Sequence, residues 1–414
     1  MNVSYPDFFK FVRSSITGLY FIDMCLKIAS FEIVKKVEGL SLIVCLSAFF
    51  YLGTAYGQTK NYCTVSVVNP SKLAIHNKVI EVPWKQILIA YPAIDTNSLV
   101  VIELNSKKQV PYQLEKKGTS AIQNLLLQVS VPSNTKQVFI LKVGKKQHFE
   151  SKTYARYVPE RYEDFAWEND KIAFRMYGKA LETTTSNATG IDVWTKRTKQ
   201  LVLNKWYKSG DYHKDHGEGL DFYHVGITLG AGGIAPYSEG EIINSKNYIN
   251  HEILDNGPIR SSFRLFYDPW LVNGQEVNYT KLVQLDAGSQ LNKFEIRFTS
   301  QTKDSIMVAA GIHTNTGLDV KMMDEQKKIL AYWEPLNKDN GQIGVGCVFV
   351  SPVKSFVENK GHILNIETIS VSQPYTYYAG ACWDRAGQYS NLWQWLGYLE
   401  NFSQTLDVLK IDVK

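Results

Sequence analysis

Cysteine is scarce in this chain of 414 residues: there are five, at positions 25, 45, 63, 347 and 382, and no CxxC pair. That spacing excludes a thiolate zinc centre and a disulfide framework, and leaves open one bridge among Cys63, Cys347 and Cys382 if the chain is exported. An excess of one charge is also missing. The net charge is +5, and residues 1–57, with five basic and four acidic side chains, account for +1 of it. No basic run of the kind that grips a phosphate backbone occurs, so nucleic acid is not an expected partner. No apolar run reaches the roughly 20 residues of a membrane span. No repeat of 20–50 residues is visible, and helical periodicity is nearly absent before residue 390. Hydrophobic residues at 44% and aromatics at 13% instead supply ample material for a packed core.

Residues 40–52, LSLIVCLSAFFYL, form an apolar run of 13 that follows Lys35 and Lys36 and precedes Gly53, Thr54, Ala55 and Gly57. Charge, then a short apolar stretch, then small residues is a signal-peptide pattern, with cleavage expected near Gln58 and a periplasmic or extracellular destination. Because 34 residues precede Lys35, Met24 is an alternative start. A membrane anchor is the less favoured reading of the same run. Cys45 lacks the small residues that precede a lipidated cysteine.

From Thr64 to Val143 the chain reads as short strands, VSVVN, KQILIAY, SLVVIEL, NLLLQVSV and QVFILKV, separated by Asn, Pro, Gly and Lys clusters. The expected organisation is an export segment over 1–57, a small β-sandwich over 60–150 and a large antiparallel sandwich over 151–414. GKKQHFESK serves as the linker. In the large unit, the alternation in SSFRLFYD and NKFEIRFT suits strands with one wet face. Only SNLWQWLGYLENFSQTL, with Leu392, Leu396, Leu399 and Phe402 in a stripe, predicts an amphipathic helix; Trp393 and Trp395 are expected to widen that buried stripe. The fold class is therefore all-β.

One stretch is chemically denser than the rest. Asp211 to His224 holds three His, three Asp and one Glu, and Gly226, Gly230, Gly232 and Gly233 follow. Gly217 and Gly219 argue for a loop that turns polar groups into one cavity, with His213, His216, Glu218, Asp221 and Tyr223 as candidate catalytic residues and Tyr212 beside them. A His beside a carboxylate makes a general base, and a Tyr can supply an acid. No cofactor is expected. A divalent cation at His213, His216 and Glu218 is the alternative, without the spacing of a helix-borne HExxH, and an oxygen-rich site from Asp215, Glu218 and Asp221 is another. The plain alternative is a loop whose His and Asp cap turns. LGAGGIAPY matches neither GxGxxG nor GxxxxGK[ST] and reads as tight turns between strands or as close backbone approach to a ligand.

Further candidates bind substrate. Arg260 and Arg264 share a strand face, and an Arg fork suits a carboxylate. His313 opens a Gly-bounded loop after an apolar strand. Trp333, in Trp333-Glu334-Pro335, ends another strand, and GACWDRAG places Trp383 and Arg385 between glycines. An exposed indole is a stacking platform for the apolar face of a pyranose. For either Trp the competing role is core.

The run DYHKDHGEGLDFYHVGITLGAGGIAPY, with GACWDRAGQYS and WQWLGYLENF, resembles a family of secreted bacterial proteins of unknown function associated with plant-polysaccharide, pectin-type utilisation. The likeness covers roughly Cys63 to the C-terminus. It implies a galactose-mutarotase-like supersandwich and an oligo- or polysaccharide ligand. Three functions compete: a lyase or hydrolase on uronate-containing glycans, a non-catalytic glycan-binding protein, and a sugar mutarotase or epimerase. In a lyase His213 or His216 would be the base and Arg260 or Arg385 would hold the carboxylate. In a hydrolase Glu218 and Asp221 would be the carboxylate pair.

Overall fold

In the computed structural model, residues 61–414 are described; the expected export segment and its cleavage site near Gln58 lie outside them. Alternation becomes strand where it was expected. In Tyr62–Asn69, Cys63, Val65 and Val67 are buried and the residues between them are not. This strand pairs antiparallel with Thr135–Val143 on one side and with Lys410–Val413 on the other, and Leu99–Glu103 completes a four-stranded sheet. A three-stranded sheet of Ile75–Pro83, Asn124–Val131 and Tyr112–Glu115 faces it across Val65, Leu125, Leu127 and Leu141. Each such side chain contributes on the order of 1.5–3 kcal/mol by leaving water. The chain's last strand thus belongs to this first sandwich and not to the unit expected over 151–414.

KQILIAY is a second departure. Trp84–Ala90 is a helix, with Trp84, Ile87 and Tyr91 buried and Leu88 and Ile89 exposed. Spacings of three and four residues, not two, carry the apolar side, so one helical turn buries more than a strand would.

The large sandwich pairs a nine-stranded antiparallel sheet with two five-stranded ones. Its interior joins Phe263, Phe294, Val345 and Tyr377 of the large sheet to Trp167, Phe174, Val308 and Ala310 of the smaller two. All-β architecture is therefore correct, with three α-helices among the described residues, at Trp84–Ala90, Leu203–Ser209 and Leu392–Gln404. The last begins at Asn391, whose side chain accepts the N–H of Gln394. It buries Trp395, Leu396 and Leu399 against Ile329, Ala331 and Val348. No helix among the described residues is long and apolar enough to cross a membrane. Cys63, Cys347 and Cys382 are buried and free, so no bridge joins them.

Candidate functional site

The central segment is held by its own carboxylates. Helix Leu203–Ser209 stops at Gly210, whose φ of 70° is the left-handed conformation that closes helices. Asp215 then closes the loop: Oδ1 accepts the N–H of Gly217 at 2.8 Å and of Gly219 at 3.1 Å, and Oδ2 pairs with Arg197. At Gly219 a Cβ would lie 2.0 Å from the Thr195 carbonyl oxygen, so the chain can return into strand Gly219–Asp221 only with glycine there.

Beneath this loop lies a buried ionic cluster. Arg175 Nη2 meets Asp192 Oδ2 at 2.6 Å and Asp221 Oδ2 at 2.9 Å, and Nη1 stands 3.7 Å from Asp164 Oδ2. The rings of Tyr177 and Trp194 each lie 5.0 Å from the guanidinium. Three carboxyls thus face one interior cation. Burial, with the Asp192 charge adding to it, raises the Asp221 carboxyl well above its usual range, and burial raises Asp164 to about 6.

His213 stands at the edge of that cluster. Its Nδ1 is 3.0 Å from the Asp221 carbonyl oxygen and 3.6 Å from Oδ2. A carbonyl oxygen only accepts, so Nδ1 carries a proton, and in the neutral ring the lone pair is on Nε2. The side chain is 65% exposed. This is an imidazole fixed in one tautomer, with its basic nitrogen on an accessible ring.

The other expected residues disperse. His216 pairs with Asp211 at 2.9 Å on the surface. Glu218 accepts Lys205 at 2.7 Å and Trp206 Nε1 at 3.4 Å, and the Lys205 bond holds its carboxyl below the usual range. Tyr212 is buried in a stack on Trp194. Tyr223 is buried with no partner for its hydroxyl, and burial raises that phenol far above its ordinary range, so neither phenol is placed as an acid. His213, His216 and Glu218 each have a different partner and form no cation site. The same holds for Asp215, Glu218 and Asp221. Among the described residues no three His, Cys, Asp or Glu gather as metal ligands.

Arg260 is not a substrate anchor. It is 4% exposed and clamps the two sandwiches together: Nε and Nη2 take Asp286 at 2.6 and 3.0 Å, and Nη1 takes Glu115 at 2.9 Å and Glu81 at 2.5 Å. Arg264 shares its strand but pairs with Glu252. Trp333 and Trp383 are 6% and 2% exposed, so neither is a sugar platform. Trp383 donates Nε1 to Asn340 O at 2.7 Å and carries Arg197 on its face at 4.6 Å. Arg385 spends its guanidinium on the carbonyls of Lys338 and Asp339. The exposed indole is Trp393, at 73%, which the helix leaves outside its buried stripe.

His313 lies half-buried with its ring 5.2 Å from that of His362. Burial, and the charges of His362 and His224, lower it to about 4, and its Nδ1 has no partner. His362 itself is structural: Nδ1 donates to Lys360 O at 2.9 Å and Nε2 accepts the Leu229 N–H at 3.3 Å. Two residues past His313, Asn315 donates to Glu334 at 2.8 Å. Burial raises Glu334 to about 8, against that bond, so at neutral pH it is a carboxylic acid with a proton to give.

Two buried ionisable groups, Glu334 and Lys281, lie outside the residues that the sequence singles out. Glu334 had a signal, an acid placed directly after the apolar strand Ile329–Trp333. Lys281 had a clearer one. In strand Gln275–Asp286 the buried phase is Val277, Tyr279, Lys281, Val283 and Leu285, which places an ammonium among core residues. It has no carboxylate partner among the described residues, and the rings of Tyr267 and Tyr279 each lie 5.2 Å away. Burial lowers it to about 7.

The sequence profile of a family described as a domain of unknown function, DUF4861, matches residues 67–410. A Formosa agariphila protein described as uncharacterized protein P7 is 32% identical over 302 residues, 67% of this chain and 74% of that protein. Among solved structures, an alpha-mannosidase from Enterococcus faecalis V583 superposes with a TM-score of 0.48 at 12% identity over 90% of this chain. A protein in glycosyl hydrolase family 38 from Enterococcus faecalis gives 0.47 at 12% identity over 90% of this chain. The chain spans 48% and 50% of those two proteins.

Proposed function

The chain belongs to the DUF4861 family, and we propose that it is a carbohydrate-active enzyme that abstracts a proton from a uronate-containing glycan, with His213 as the base. The observation that carries this reading is the His213–Asp221 pair, in which Nδ1 is fixed as donor at 3.0 Å and Nε2 is left basic on an exposed ring. The acidic glycan is supported by the likeness of the Asp211–Tyr237 run to a polysaccharide-utilisation family.

Elimination fits the residues better than two-carboxylate hydrolysis. Glu218 is bound to Lys205, and Asp221 is buried on Arg175, so that pair offers no free acid and base across a sugar bond. In the elimination, His213 Nε2 takes the C5 proton beside the uronate carboxylate. The C5–H electron pair becomes the C4=C5 bond, the C4–O4 bond breaks, and the departing oxygen takes a proton from water, whose hydroxide is neutralised by the proton that His213 then releases. Arg197, one-third exposed, stacked on Trp383 and paired through Nη2 with Asp215, is the cation we assign to the uronate carboxylate, which would share its guanidinium with Asp215.

The test uses oligogalacturonides and other uronate oligosaccharides, read by ultraviolet absorbance and product mass. Wild type should yield a product absorbing as a conjugated C=C at unchanged total mass. His213→Gln should lower the rate about 10²–10⁴-fold with thermal stability unchanged, because the ring is exposed. A product that has gained water without absorbance, or a His213→Gln variant at full rate, defeats the proposal.

A further inference from the structure

Trp393 is the one tryptophan of the C-terminal helix that packs against nothing in the core, and it stands beside a groove of about 360 Å³. That volume lies at the lower end of the roughly 300–1,000 Å³ typical of small-ligand sites. The floor is the helix itself. Gly397 follows Trp393 by four residues, hence on the same face, and a Cβ at Gly397 would meet nothing within 4 Å. A glycine inside a helix costs about 1 kcal/mol relative to alanine, and here its effect is to leave open space against the indole. The far wall is polar: Lys327 Nζ bonds Glu400 at 2.7 Å and stands 3.4 Å from Asp324. All three ends of that chain are partly exposed.

We propose that this groove is an accessory sugar subsite that holds one pyranose ring, its C–H face on Trp393 and its hydroxyls on Glu400, Lys327 and Asp324. The chemistry matches on both sides: an indole face for the apolar face of the ring, and charged donors and acceptors for its edge. A second copy of the chain is the poorer occupant, since a stable interface needs about 800 Å² per partner and this groove is short and charged. The subsite concerns retention of a glycan and no bond-making step. It rests on the glycan reading above, but not on His213 chemistry.

Two variants test it, because each removes a different half. Trp393→Ala deletes the platform, and Gly397→Leu fills the floor while leaving the indole in place. Both positions are exposed or open, so the fold and turnover of short oligosaccharides should be unchanged. Affinity electrophoresis and tryptophan fluorescence with polygalacturonate and with arabinogalactan give binding; absorbance on short oligogalacturonides gives turnover. We expect wild type to be retarded by one of the two polymers, with its indole emission quenched. Both variants should lose at least tenfold in that affinity. Equal binding by wild type and both variants overturns the subsite, as does a wild type that neither polymer retards. Loss of a dimer in Trp393→Ala by sedimentation would assign the face to self-association instead and also overturns it. Failure of turnover with binding retained would fall on the His213 reading alone.

Discussion

Replacing Lys281 by Met should stabilise the protein, and by an amount that depends on pH. In the unfolded chain the ammonium titrates near 10.4. In the folded sandwich it is 5% exposed, and burial lowers it to about 7. The sign follows from which state binds more protons. Below pH 7 both states carry the proton, and the fold bears the full penalty of about 5 kcal/mol, at 1.36 kcal/mol per pKa unit. Between pH 7 and 10.5 the unfolded chain still holds a proton that the folded chain has released, so stability climbs with pH. Above that range the term vanishes. The faces of Tyr267 and Tyr279, each 5.2 Å from the ammonium, return about 0.5–2 kcal/mol of cation–π attraction that methionine forgoes. Met matches the length of the lysine stem and needs no partner. The net gain should be roughly 3–4 kcal/mol at pH 6, about 2–3 at pH 7.5 and near zero above pH 10. Urea titrations of both proteins at those pH values measure it. A variant that is less stable than wild type, or a difference flat across pH, would refute the reasoning, because it would mean that the ammonium is solvated or paired inside the sandwich.

Arg260→Met should do the reverse and cost about 3–5 kcal/mol, since it leaves Asp286, Glu115 and Glu81 facing one another without their cation; denaturant unfolding checks it, and binding of oligogalacturonides and their methyl esters should change equally. Glu334, raised to about 8 by burial, should titrate near that value in carbon-detected magnetic resonance of labelled carboxyls, and its signal should vanish in Glu334→Gln. Because its folded value exceeds the unfolded one, Glu334 makes the fold lose stability as pH rises from about 4.3 towards 8, and the Gln variant should lack that slope.

Much of the scaffold was legible because alternation is local. A residue's burial in Tyr62–Asn69 or Leu291–Ser300 follows from its parity, and the stripe of Leu392, Trp395, Leu396 and Leu399 follows from a helical repeat. The polar density of residues 211–224 also marked a real loop, closed by Asp215 on the N–H groups of Gly217 and Gly219. Which partner each charged group would find was not legible. Arg260 and Arg264 look alike on their strand, yet one is sealed because Glu81 and Glu115, 179 and 145 residues away in sequence, arrive with the first sandwich. Trp383 and Trp393 exchanged their expected exposures for the same kind of reason. Trp383 is covered by Arg197 from a distant loop, whereas Trp393 lies one position off the buried stripe of a helix whose sheet is already filled by Trp395. Even KQILIAY, short and apolar, took its form from what it packs against, with Trp84 and Ile87 reaching the core of the first sandwich only as a helical turn. Periodicity determines which side of an element is dry, while the docking of one sheet on another, made from long-range contacts, decides whether a charge on the other side meets water, a carboxylate or nothing.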